Sequence, residues 1–532
     1  MPTHEVTNVV PPRPAGNVTE DDAVLQAALA GAGITDTGRK TVAALGELAG
    51  SEEAREWGRQ ANRSGPELRP FDAAGNRIDE VEFHPAWHQL LGVATGHGLH
   101  GSPWASTEPD AHTVRAAGFF AWSQVEAGHG CPVSMTYSVV PALRRSPELA
   151  ARYEPGLTAT AYEFGLREPT TKAGLLAGMG MTEKQGGSDV RANTTQAVPV
   201  GDHHVLTGHK WFCSAPMSDL FLVLAQAPEG LSCFLVPRVL PDGSRNRFAL
   251  QRLKDKLGNR SNASSEVEFD STVGFLVGDA GRGVRTIIDM VTMTRLDCVI
   301  GSASGQRAAL TEALHHATHR RAFGTRLIEA PAMREVLADL AVESAAATAV
   351  AVRLAQAVDT GQTAFLRLAV AASKYWVCKR TLVTVGEALE CLGGNGYVED
   401  SVLPRLLRES PLNSIWEGSG NVIALDVLRA VRRDPASLEA VTSELVIGAD
   451  PALDAAVAGL APLAAAADET SARQFAGALA RCLQASLLVR HHDPALAERF
   501  LATRIASPPP AVFGDRPAPR TADVLRVVAP AA

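Results

Sequence analysis

Met179-Gly-Met-Thr-Glu-Lys-Gln-Gly-Gly-Ser-Asp189 stands where a helical stretch of the chain gives way to short β-branched runs, and its reading decides the fold. Gly186 and Gly187, followed by Ser188 and Asp189, let backbone N–H groups come close to a polar ligand, and Thr182 and Ser188 add hydroxyls that donate or accept. Gly-Gly-Ser by itself marks an ordinary turn into a β domain. The longer string suits a loop that holds a flavin ring or a phosphate.

Toward the N-terminus, residues 1–180 place apolar side chains three and four apart, as in TVAALGELAG and PALRRSPELAARY, which predicts a helical domain. Residues 181–282 change character. LFLVLAQ, SCFLVP and SSEVEFD are short β-branched or aromatic runs separated by APEG, LPDGS and LGNRSN, which predicts an antiparallel β domain. Residues 283–433 return to long Ala- and Leu-rich segments such as ADLAVESAAATAVAVRLAQAV, interrupted by LGGNGY, and predict a four-helix bundle. Residues 434–532 read as a helical extension broken at Pro508, Pro509 and Pro510. The expected class is therefore α+β, because no strands alternate with helices to build a parallel sheet.

Composition narrows the function. With 532 residues, 46% hydrophobic and 20% charged, the chain can bury several cores, and no apolar run is long enough to span a bilayer. No membrane partner is expected. The opening MPTHEVTNVVPPRPAGN lacks a basic start and apolar core, so a cytoplasmic location is expected. Seven scattered cysteines without a CxxC pair fit a reduced compartment and argue against a zinc cluster. The pairs His203-His204, His315-His316 and His491-His492 lack metal-ligand spacing, and no GxGxxG follows a strand, so no metal site and no nicotinamide fold is expected. A net charge of -8 offers polyanions no general attraction.

Two more strings carry chemistry. In Gly208-His-Lys-Trp-Phe-Cys-Ser-Ala-Pro216, Phe212 can cover one face of an isoalloxazine while Ser214 offers a hydrogen bond near N5. An isolated strand aromatic is more often core. In Asn413-Ser-Ile-Trp-Glu-Gly-Ser-Gly-Asn421, Glu417 lies in an apolar, glycine-bearing corner where desolvation favours a general base. A capping glutamate is the plainer alternative.

These strings, with Arg320-Arg-Ala-Phe-Gly324 and Glu390-Cys-Leu-Gly-Gly-Asn-Gly-Tyr397, resemble the acyl-CoA dehydrogenase family in order and spacing over about residues 80–433. MTEKQGGSDV, KDKLGNRSNASSEVEF, NSIWEGSGN and FHPAWH are similar to its AidB-like branch, which responds to DNA alkylation. The resemblance implies an acyl-CoA dehydrogenase-like fold and FAD as cofactor. It implies FAD contacts from Met179, Met181, Thr182, Gly187, Ser188, Phe212, Cys213 and Ser214, and from Ile415, Trp416, Gly418, Ser419 and Asn421. It further implies that Arg320, Phe323, Gly393 and Gly394 help grip the ADP half of a neighbouring subunit's FAD, hence at least a dimer and usually a homotetramer. The family commonly has glutamine where this chain has Glu390, and another where Pro331-Ala-Met333 stands.

For mechanism the resemblance implies that Glu417 removes an α-proton from an acyl-CoA while the β-hydrogen leaves as hydride to flavin N5, with Arg295 near the substrate. In the AidB-like branch it implies feeble, isovaleryl-CoA-like dehydrogenase activity beside binding and protection of double-stranded DNA. The alternative is a conventional metabolic dehydrogenase forming a 2,3-enoyl-CoA with no DNA role. Arg429, Arg432 and Arg433 share one helix face that can meet phosphates, whereas residues 434–532 hold 11 acidic against 8 basic residues.

Overall fold

The computed structural model describes residues 3–529. The chain divides into two compact units, Glu53–Ala111 with Val125–Thr294, and Met1–Glu52 with His112–Gln124 and Arg295–Ala532. Helical N- and C-terminal regions flank a β domain, the order that the family resemblance implies. No helix among the described residues is long and apolar enough to cross a membrane.

The first unit is built on a sheet. Inside the stretch read as helical, β1 (Glu67–Phe71) and β2 (Arg77–Glu82) form an antiparallel hairpin. Its cause is local: Asp72 accepts hydrogen bonds from the backbone of Ala74 and Asn76 and from the Asn76 amide, which closes the turn. The main sheet holds β3 (Ala177–Gly180), β4 (Gln196–Val200), β5 (His203–Ser214), β6 (Leu220–Ala227), β7 (Gly230–Pro237), β8 (Phe248–Leu253) and β9 (Ser264–Val277). Strand order runs β3-β6-β4-β5-β9-β7, with β8 on β9, and β7 also pairs β6. The strands from β4 round to β6 thus close on themselves, sealed at Gln196 and Gln226. Closure explains LFLVLA: with a neighbour on each edge and core on both faces, Leu220–Ala225 are all buried. Phe221, Phe234, Phe248 and Phe269 fill the interior, with Phe248 centred 4.8 Å from Phe221 and 5.6 Å from Phe269.

The second unit is helical. Its principal helices are α1 (Gly283–His319), whose first turns belong to the sheet unit, α2 (Pro331–Asp359), α3 (Thr363–Cys391), α4 (Gly420–Arg433) and α5 (Ala472–His491). Residues 338–355 of α2 are buried all round, as an Ala-rich helix in the middle of a bundle must be. The C-terminal extension docks through two fully buried arginines. Arg499 bonds Glu335 at 2.9 Å and Thr521 at 2.8 Å, and Arg504 pairs with Asp339 at 2.8 Å and Glu343 at 2.9 Å. All seven cysteines are buried free thiols.

Candidate functional site

Each unit carries one group of the residues singled out in the sequence. In the sheet unit the glycine string leaves β3 with Met179, Met181, Thr182 and Gly187 half-buried and Ser188 exposed. A Cβ at Gly187 would run into the hydroxyl of Thr182, so a larger residue here forces the Thr182 side chain to shift. The Thr182 carbonyl accepts a 2.8 Å bond from the Trp211 amide, so loop and β5 lie side by side.

Glu183, which the sequence did not single out, anchors this loop. Its carboxylate is fully buried and receives Lys210 Nζ at 2.7 Å, the backbone N–H of Thr194 at 2.7 Å, and the Thr195 hydroxyl at 2.6 Å. Burial by itself would raise its pKa; these donors outweigh that and hold the carboxyl well below the ordinary carboxylate range.

The register of β5 on β9 slips by one residue between Lys210 and Cys213, a β-bulge. The bulge turns both Trp211 and Phe212 outward while Lys210 and Cys213 stay in the core. Phe212 is 52% exposed, with the Lys254 ammonium over its ring at 4.8 Å from the centroid. Cys213 is fully buried and burial pushes its thiol up to about 12, so only its backbone can meet a ligand. Ser214 Oγ lies 3.4 Å from Ser264 Oγ.

In the helical unit Glu417 occupies the turn before α4 at φ 58°, a left-handed conformation that costs a non-glycine residue about 1–3 kcal/mol. Three consecutive carbonyls of this turn are tied down by buried cations. Lys374 Nζ donates to the carbonyls of Trp416 (2.8 Å) and Gly418 (2.5 Å), and Arg295 Nε donates to that of Glu417 (3.0 Å). Arg295 also pairs with Asp426 at 2.8 Å, and Arg367 reaches the same carboxylate at 3.0 Å. Burial opposes ionisation of Asp426, but the two guanidiniums win and lower its pKa. Gly418, at φ 105°, is required twice over, since a Cβ would also stand 2.9 Å from Ile423 Cδ1. Trp416 is oriented by its 2.9 Å bond to Asn413 Oδ1, whereas Ile415, Ser419 and Asn421 are exposed. Lys374 escaped the sequence reading. A lone lysine in the apolar helical run AVAASKYWVC was its signal.

The remaining candidates lie at the surface of the helical unit. Phe323 (φ 51°) is fully exposed, Gly393 and Gly394 are open, and Arg320 donates to the Asn8 carbonyl at 2.6 Å. Arg429 sits 3.6 Å from Asp426, Arg432 caps the Ala467 carbonyl at 2.7 Å, and Arg433 is exposed.

This arrangement agrees with what the chain is similar to. Residues 8–164 match the adaptive response protein AidB N-terminal domain, 178–272 the acyl-CoA dehydrogenase middle domain, and 281–432 the acyl-CoA dehydrogenase C-terminal domain. The putative acyl-CoA dehydrogenase AidB of Escherichia coli K12 is 48% identical over 399 residues, 74% of each chain. The chain belongs to the acyl-CoA dehydrogenase family. Acyl-CoA dehydrogenases are FAD-dependent oxidoreductases, and the AidB N-terminal domain places this member beside the AidB branch. Among solved acyl-CoA dehydrogenases, Caenorhabditis elegans ACDH-11, in complex with C11-CoA, superposes with TM-score 0.86 at 26% identity, covering 95% of this chain and 94% of that one. A glutaryl-CoA dehydrogenase from Mycobacterium smegmatis, in complex with FADH2, shares the fold at TM-score 0.61 and 18% identity, over 77% of this chain and 98% of that one.

Proposed function

We propose that this protein is an FAD-dependent acyl-CoA dehydrogenase of AidB-like type in which Glu417 is the base. The observation that carries the reading is the Glu417 turn, left-handed and held through three carbonyls by Lys374 and Arg295. A carboxylate kept in a costly backbone conformation by buried cations fits a group that must meet one proton at one place. FAD, when bound, supplies the acceptor for the β-hydrogen, which leaves the thioester as hydride and balances oxidation to the 2,3-enoyl product. Glu417 takes the α-proton on a carboxylate oxygen.

The other roles follow from the chain's own residues. Thr182, Gly187 and Ser188 bind the polar edge of the cofactor, the exposed ring of Phe212 covers its ring, and Ser214 donates a hydrogen bond to it; Cys213 contributes backbone alone. Arg295, expected near the substrate, instead positions the Glu417 turn from its pairing with Asp426. Exposed Phe323 and the open Gly393-Gly394 turn support a homotetramer in which they meet a neighbour's cofactor.

Anaerobic titration with isovaleryl-CoA should bleach the flavin band slowly, as a weak dehydrogenase does, and Glu417→Gln should slow that bleaching by about 10²–10⁴-fold with flavin still bound. Retention of the rate within tenfold sinks the assignment of the base. Duplex DNA is the second partner of this reading, supported by exposed Arg429 and Arg433 on α4. A gel shift that weakens with salt and with Arg429→Ala/Arg433→Ala tests it.

A further inference from the structure

Around one cleft of the sheet unit the sign of the charge reverses. The 62–66 turn and the 253–264 segment, which ends β8 and begins β9, enclose about 220 Å³. In a chain of net charge -8, this cleft is lined by four cations, Arg63, Lys254, Lys256 and Arg260, against the single acid Asp255. Arg63 and Arg260 have no carboxylate partner among the described residues and are exposed at the rim. Lys254 pairs with Glu266 at 2.6 Å, but Arg252 takes the same carboxylate oxygen at 2.6 Å, so one acid is shared by two cations. Lys256 is fixed by bonds to the Asn262 carbonyl (2.5 Å) and Ser264 Oγ (2.9 Å).

Asn62 and Asn262 complete the wall of the cleft. Cations already ordered lose little freedom on binding an anion, and two arginine forks match phosphate oxygens. A carboxylate presents fewer acceptors and half the charge.

We propose that this cleft is a binding site for a phosphate anion, free or as the ester of a small molecule. It adjoins the ring-bearing strand: Lys254 Nζ lies 4.8 Å from the centre of Phe212, and Ser264 Oγ 3.4 Å from Ser214 Oγ. A ligand held by its phosphate here is therefore tethered beside Phe212 and Ser214. The site stands on its own charges and does not require that the protein turn over a thioester.

The test is calorimetric titration of the flavin-loaded protein at low ionic strength with inorganic phosphate and with adenosine 3′,5′-bisphosphate, with chloride as control. Saturable binding is expected for phosphate, weakened at least about tenfold in Arg63→Glu/Arg260→Glu while flavin spectrum and melting temperature stay unchanged. Bisphosphate binding at least about tenfold tighter than phosphate identifies an ester as the ligand, and equal affinities identify free phosphate. No saturable binding of either up to about 10 mM, or binding that the double variant leaves within about twofold, overturns the proposal. Loss of flavin bleaching without loss of phosphate binding would count against the dehydrogenase reading alone.

Discussion

The loop after β3 and the turn before α4 perform the same task by opposite electrostatics. At the first, an anion collects donors: Glu183 draws in Lys210, Thr194 and Thr195 and so pins the backbone that runs toward Gly187. At the second, cations collect acceptors, as Lys374 and Arg295 take the carbonyls of Trp416, Glu417 and Gly418. The difference teaches how each loop is built. Glu183 sits in the core with its charge cancelled in place by Lys210, so the sheet-side loop is a buried scaffold that leaves glycine and hydroxyl groups outside. The helix-side turn spends its cations on the backbone of the very residue proposed to react, so its anchoring bears on chemistry as well as stability.

That contrast can be broken at its strongest point first. Lys210→Met leaves the Glu183 carboxylate buried and uncompensated, and is expected to destabilise the sheet unit by about 3–5 kcal/mol in denaturant melts. Adding Glu183→Gln should restore part of the loss; a single variant as stable as the parent would show that the pair anchors nothing. Lys374→Met strips the donor from two half-buried carbonyls, so a loss of about 1–3 kcal/mol is expected. Here kcat should fall while KM for acyl-CoA holds, because the left-handed Glu417 is no longer fixed. Equal changes in both constants would make Lys374 purely structural.

Gly187→Ala should cost about 1–3 kcal/mol of overpacking and lower FAD occupancy, with partial recovery on adding Thr182→Ala. Occupancy equal to the parent's would dissociate this loop from the cofactor. The smallest effect is in pH. Glu183 and Asp426 both have pKa values below their ordinary 4.5 and 3.8, so the unfolded chain binds protons first as pH falls. The stability they provide is complete above about pH 5 and is lost progressively below the ordinary values. Unfolding midpoints measured from neutral to acid pH should fall in that window, and fall less steeply in Lys210→Met. A flat profile would place the acid sensitivity elsewhere.

Much of the fold was readable because local patterns carried it. APEG between LFLVLAQ and SCFLVP predicts a tight hairpin, and Ala227 pairs with Gly230 across that turn. The β1–β2 hairpin was missed because one short alternating pair inside a helical stretch is a weak signal, outweighed by the three- and four-residue spacing around it. At the site, the string with Gly187 and the bend at Glu417 stood out, since unusual backbone needs glycine and glycine is visible. Lys210, Glu183 and Lys374 were not, because a single charged letter reads the same whether it ends in solvent or in an ion pair.

By itself the sequence determined the order of elements, the family and the residue types proposed for the cofactor site and the base, since these depend on periodicity, turn chemistry and short motifs within a few residues of one another. Only the tertiary structure decided which carbonyls Lys374 and Arg295 would hold, that a bulge would turn Phe212 outward and Cys213 inward, and that Arg63 would share a cleft with Arg260. Each of those depends on where distant segments meet when the core closes, and burial, unlike propensity, is a property of the whole packing.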